Sequence, residues 1–186
     1  LRDLSRLVID KQADIGLATD IDGDRFGIVN ASGKYINANM IVPPLIEYLI
    51  AVRKMQGGIV KSISTTGNIK RVADYYARKV YSTPVGFKYI AEMMRKKRSF
   101  IGVESTNGAS LNEGITIKDG ILFNLLVCEM LAYYRSDLDR VLDGFSRKFS
   151  RLFNLEVSVS KNSRREKKFL ELRRNPGSVS YTHLTL

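Results

Sequence analysis

Ile59-Val60-Lys61-Ser62-Ile63, followed by the hydroxyl-rich Ser64-Thr65-Thr66 and then by Ile69, Val72, Ala73 and Tyr76 at helical spacing, decides the fold class. A short apolar run bounded by turn residues reads as a buried strand, and apolar residues recurring three and four apart read as one face of a helix. The unit recurs. Lys79-Val80-Tyr81 leads through Thr83-Pro84-Val85-Gly86 into a helix over residues 87–97, and Ser99-Phe100-Ile101-Gly102 leads into a polar loop at residues 104–107. Asp119-Gly120 opens the longest helix, expected to reach about Tyr134, and Ser136-Asp137-Leu138 caps one more through Val141, Leu142 and Phe145. Strand, loop and helix in alternation predict an α/β fold, a three-layer α/β/α domain with a largely parallel sheet over residues 37–150. In such sheets ligands sit beyond the carboxyl ends of the strands.

Upstream, Leu4, Leu7 and Val8 fit a helix, and Ile15-Gly16-Leu17-Ala18 and Phe26-Gly27-Ile28-Val29 read as strands flanking Asp20-Ile21-Asp22-Gly23-Asp24-Arg25. A helix capped by Asn39 or a neighbour is expected next, with Pro43 and Pro44 tolerated in its first turn. Downstream, residues 155–159 alternate as a strand and residues 163–174 read as a basic helix. Residues 178–186 have no core pattern, look like translated adapter sequence, and are set apart as a non-native tail.

The chain has 186 residues with 44% hydrophobic and 26% charged, enough for a core and unlike a disordered chain. Its longest apolar stretches carry Glu47 and Glu129 and fall well short of the roughly 20 residues of a membrane span, so no membrane partner is expected. Leu1 is neither an initiator Met nor the start of a signal peptide, which predicts a piece of a longer protein. One cysteine, Cys128, lies in an apolar helical pattern, which excludes an internal disulfide, fits a cytoplasmic location and reads as a buried small hydrophobe. The net charge is +11, with eight basic and three acidic residues in 151–186. The compact runs Arg95-Lys96-Lys97-Arg98 and Arg164-Arg165-Glu166-Lys167-Lys168 lack interleaved aromatic stacking platforms, so they read as solvated helix ends and no nucleic acid partner is expected.

Asp20, Asp22 and Asp24 place three carboxylates at alternate positions of one loop, and Gly23 permits a sharp turn. Like charges this close call for a cation, and a hard divalent ion, Mg²⁺ or Ca²⁺, takes oxygen ligands of this kind. A solvated acidic turn is the plainer alternative. An EF-hand is excluded by Arg25 at its sixth position and Ala31 at its twelfth. A haloacid-dehalogenase-like phosphatase would want Thr or Val in place of Asp24, and a non-catalytic module binding metal or sugar phosphate is a further alternative. Arg25 offers a fork of donors to a phosphate oxygen, or pairs with a neighbouring carboxylate.

Thr19-Asp20-Ile21-Asp22-Gly23-Asp24-Arg25-Phe26-Gly27-Ile28-Val29 closely resembles the metal-binding loop of the α-D-phosphohexomutases, the phosphoglucomutase/phosphomannomutase family. Thr83-Pro84-Val85-Gly86-Phe87-Lys88-Tyr89-Ile90 resembles that family's third-domain loop, whose lysine approaches the reacting sugar phosphate. Gly102-Val103-Glu104-Ser105-Thr106-Asn107-Gly108 stands where the family reads Gly-Gly-Glu-Glu-Ser-Gly-Gly, its sugar-recognition loop, and Lys118-Asp119-Gly120-Ile121 follows at the family's spacing. Thr106 keeps the hydroxyl of the usual Ser, while Ser105 and Asn107 replace a Glu and a Gly.

The resemblance implies Mg²⁺ on Asp20, Asp22 and Asp24, with Arg25 orienting the transferring phosphate. It further implies Lys88 as base or electrostatic partner, and Glu104 and Thr106 holding the sugar of a hexose phosphate. Taken alone, Glu104 and Thr106 also suit a strand-end turn, and Lys88 a surface lysine. The resemblance divides the chain into the end of domain 2 (1–36), domain 3 (37–150) and the connection toward domain 4 (151–177). Domains 1 and 4 are then missing. The family's phosphoserine motif Thr-Ala-Ser-His-Asn-Pro is not in this sequence, whose one histidine is His183, so the chain by itself is expected to be inactive.

Overall fold

In the computed structural model, residues 1–112 and 116–149 are described, all within a compact unit spanning Leu1–Asn154. The strand at 155–159, the helix at 163–174 and the basic run at 164–168 lie outside the described residues.

Helix α1 (Arg2–Asp10) buries Val8 against strand β1 (Ile15–Thr19). At Gly16 a Cβ would lie 2.6 Å from Val8 Cγ2, so the missing side chain lets helix and strand approach closely. Strand β2 (Phe26–Asn30) returns antiparallel to β1 with Thr19 opposite Phe26, which makes residues 20–25 the loop of a hairpin. A two-residue strand β3 (Tyr35–Ile36) completes this antiparallel sheet.

Helix α2 (Ala38–Ala51) begins where the Asn37 side chain accepts a 2.8 Å bond from the Asn39 N–H. Pro43 and Pro44 lie inside the helix, beyond its first turn, which corrects the expectation from sequence. The rings remove two N–H donors, and burial of both prolines and their neighbours in the core holds the helix together nonetheless.

The second sheet contains β4 (Ile59–Ser62), β5 (Val80–Thr83), β6 (Ile101–Val103) and β7 (Ala109–Leu111) in the order β5-β4-β6-β7. The first three strands are parallel and β7 runs antiparallel at the edge, so the sheet is mixed and mostly parallel. Helices α3 (Asn68–Tyr75) and α4 (Phe87–Lys97) make the crossovers, and α5 (Gly120–Tyr134) and α6 (Leu138–Lys148) follow. Asp119 and Asp137 cap the last two, each carboxylate accepting a backbone N–H at 2.8 Å.

Alternation along β4 sends Ile59 to one face and Val60 to the other. Ile59, Ile101 and Val103 join the principal core with residues of α2, α3, α5 and α6, whereas Val60 packs with Ile90 and Met94 of α4. Helices therefore cover both faces in an α/β/α arrangement. Phe26 of the antiparallel sheet enters the same core and stacks on Phe123 at 5.8 Å between ring centroids. The basic residues 95–98 form the exposed end of α4, with Arg98 in the left-handed region at φ 48°. Cys128 is half-buried rather than fully enclosed, and burial pushes its thiol pKa up, away from nucleophilic character.

Candidate functional site

The acidic loop folds onto itself before it meets anything else. The Gly23 N–H bonds to the Asp20 carbonyl at 3.1 Å, with Gly23 at φ +70°. Asp20 Oδ1 accepts the N–H groups of Asp24 (3.1 Å) and Arg25 (3.3 Å). The Arg25 side chain lies 3.6 Å from Asp20 and 3.8 Å from Asp24. Asp22 is exposed.

Two distant segments close on this loop. Lys118 Nζ is 2.5 Å from Asp24 Oδ2 and 3.9 Å from Glu104 Oε1, so one ammonium faces a carboxylate from each loop. Its hydrogen bond, more than its charge, holds the Asp24 carboxyl below the usual range. The Gly120 N–H donates to the Gly23 carbonyl at 2.8 Å, and a Cβ on Gly120 would lie 2.4 Å from the Arg25 carbonyl oxygen. Only glycine allows the start of α5 to touch the loop backbone. Residues 104–108 join from the other side, with Arg25 bridged to Gly108, the Phe26 N–H bonded to the Asn107 carbonyl at 3.1 Å, and Glu104 N–H bonded to the Gly108 carbonyl at 2.9 Å. A Cβ on Gly108 would fall 2.3 Å from Glu104 Oε1 and 2.7 Å from Lys118 Cδ, so this glycine too keeps the carboxylate and the lysine close.

The structure thus brings together Asp20, Asp24, Arg25 and Glu104 among the residues expected from sequence. Glu104 is nearly buried, at 9% exposure, whereas Thr106 is exposed at the loop surface. Lys88 stands in the first turn of α4 with its Nζ 4.9 Å from the centroid of the neighbouring Tyr89 ring, not among these carboxylates. The connection runs through the preceding residue, since the Phe87 ring lies 5.9 Å from Lys118 Nζ. Lys118 and Asn107 are the site residues that single-residue reasoning did not select. The available signal for Lys118 was its place in the motif Lys118-Asp119-Gly120-Ile121.

Among the described residues no three His, Cys, Asp or Glu side chains are gathered as a metal-holding group. Asp20, Asp22 and Asp24 are an all-oxygen, all-anionic set suited in kind to a hard divalent cation. Two of them instead face Arg25 and Lys118, which supply the positive charge in this arrangement. No helix among the described residues is long and apolar enough to cross a membrane.

Acidic and basic side chains from three loops thus converge at the α/β/α domain, the acidic loop coming from the antiparallel sheet and the other two from segments that follow β6 and precede α5. Residues 37–149 match the phosphoglucomutase/phosphomannomutase alpha/beta/alpha domain III, and the chain belongs to the phosphoglucomutase/phosphomannomutase family. It is 30% identical over 192 residues to a phosphoglucomutase of Komagataeibacter xylinus, covering 97% of this chain and 34% of that protein. A phosphoglucosamine mutase of Bartonella bacilliformis is 30% identical over 146 residues, covering 78% of this chain and 32% of that protein. Among solved structures, a Thermus thermophilus protein assigned as a phosphomannomutase superposes with TM-score 0.72 at 30% identity, over 77% of this chain and 33% of that one. The chain spans about a third of the length of these relatives. The family match leaves the haloacid-dehalogenase-like alternative without support.

Proposed function

We propose that this chain is the portion of a phosphohexomutase that holds the cation and recognises the sugar. The intact parent would move phosphate between the 1 and 6 positions of a hexose phosphate through a phosphoserine and a bisphosphate intermediate. The observation that carries this reading is the knitting of three loops, at residues 20–25, 104–108 and 118–120, into one cluster of alternating charge.

In this reading Asp20, Asp22 and Asp24 would hold Mg²⁺. The ion, when bound, neutralises charge on the transferring phosphoryl group, the main demand of a loose phosphoryl-transfer transition state. Arg25 orients the phosphate with its planar fork. Glu104 accepts hydrogen bonds from two sugar hydroxyls and Thr106 adds a third contact. Lys118 adds positive charge at the site, and Lys88, on α4, acts near the reacting hydroxyl as base or as electrostatic partner. Residues 1–36 are the C-terminal part of domain 2, 37–150 domain 3 and 151–177 the connection toward domain 4. The partners are then domains 1 and 4 and a hexose phosphate, in the cytoplasm.

The test is calorimetry and turnover on the purified chain. Mg²⁺ uptake is expected, and its loss when Asp20, Asp22 and Asp24 are all replaced by alanine. Mutase turnover is not expected, because the phosphoserine motif is not in the sequence. No Mg²⁺ uptake would overturn the metal assignment, and turnover by the 186-residue chain would overturn its incompleteness.

A further inference from the structure

We infer that Asn107 is a positioning residue of the sugar-phosphate site, clamping the 104–108 loop to the strand that leaves the acidic loop, so that Glu104 stays in register with Asp24, Arg25 and Lys118. The inference deepens the proposed function and rests on it. Asn107 is 7% exposed and has φ +65°, a backbone region that glycine serves without steric cost. A side chain in that conformation carries a penalty, and here both ends of its amide are hydrogen-bonded. Its Nδ2 donates to the Phe26 carbonyl at 2.8 Å and its Oδ1 accepts from the Tyr35 hydroxyl at 3.2 Å. The Asn107 carbonyl accepts the Phe26 N–H at 3.1 Å, so both backbone groups of Phe26 are bound by this one residue. Phe26 directly follows Arg25 in the chain, so the clamp sets where the recognition loop stands beside the acidic loop, whose own turn is closed separately by Asp20.

A second fastening lies two residues earlier. Ser105 Oγ pairs with Ser64 Oγ at 2.9 Å, which pairs in turn with Ser62 Oγ at 3.0 Å at the end of β4. Ser105 and Asn107, two of the positions where this chain departs from the family motif, thus both pin the loop. Thr106 lies between them, held at the exposed turn.

The decisive variant is Asn107→Gly, which removes the clamp while suiting the left-handed backbone, so the fold survives. Wild-type and variant chains are titrated separately with glucose 6-phosphate and with Mg²⁺ alone, and amide exchange is followed at residues 104–108. Loss of the buried bond to Phe26 and the part-buried bond to Tyr35 is expected to weaken glucose 6-phosphate binding about five- to tenfold, with faster exchange in the loop and Mg²⁺ affinity within about twofold of wild type. Wild-type affinity for glucose 6-phosphate in Asn107→Gly would overturn the inference. Equal weakening toward both ligands would also overturn it, because that is the mark of general loosening. A wild-type chain that binds Mg²⁺ but no glucose 6-phosphate would remove the proposed sugar recognition itself, and the positioning role with it.

Discussion

Substituting Gly120 by alanine sets two physical effects against each other. Alanine favours a helix over glycine by up to about 1 kcal/mol, and Gly120 is the first residue of α5, so local propensity alone predicts a small gain. The packing says otherwise. The added Cβ would stand 2.4 Å from the Arg25 carbonyl oxygen, 2.5 Å from its carbon and 2.9 Å from its nitrogen. All three are backbone atoms, so no rotamer change relieves the clash. Helix and loop must separate by about 1 Å to reach ordinary contact distances, which stretches the 2.8 Å bond from Gly120 N–H to the Gly23 carbonyl out of range. Overpacking costs about 1–3 kcal/mol and the lost hydrogen bond about 1 kcal/mol. After the propensity gain, the net is a loss of about 1–3 kcal/mol, or about 3–10 °C in Tm for a chain of this size. Thermal unfolding followed by circular dichroism measures it. An unchanged or higher Tm would show that α5 does not lie against the acidic loop.

Phe123→Ala is expected to cost about 3–5 kcal/mol in urea unfolding, because Phe123 is fully buried and stacks on Phe26 from the other sheet; a loss under about 1 kcal/mol would contradict that shared core. Tyr48 supplies a pH test. Burial first, and its hydrogen bond to Glu129 second, push its phenol from 10.0 up to about 12. The fold therefore favours the protonated form. That stabilisation is complete below pH 10 and is lost as pH rises through about 12. Tyr48→Phe should flatten the decline in stability over this window and remove the latest phenolate absorbance step, and an unchanged profile would refute the assignment.

Much of this fold is legible locally. Asp119 before Gly120 marks the start of α5, and the apolar spacing with basic residues at 95–98 marks both ends of α4. Strands β3 and β7 are not legible, because two and three residues give no measurable alternation, and β7 is buried along its whole length. The prolines of α2 mislead because burial of the apolar residues around them offsets the two lost N–H donors, a tertiary contribution that local propensity does not contain. In the site, the spacing of Asp20, Asp22 and Asp24 marks an acidic loop, but not that Lys118, almost a hundred residues on, reaches Asp24. Asn107 is hidden for the same reason, since its positive φ and its partners Phe26 and Tyr35 arise from tertiary approach rather than from neighbouring sequence.

The central claim is that loops far apart in sequence form one site for a metal and a hexose phosphate. An NMR titration of the isotope-labelled chain with glucose 6-phosphate in the presence of Mg²⁺ tests it most directly. Amide signals of residues 20–25, 104–108 and 118–120 are predicted to shift together along one binding curve. Shifts confined to one of these loops, or scattered over the basic surface at residues 95–98, would contradict it.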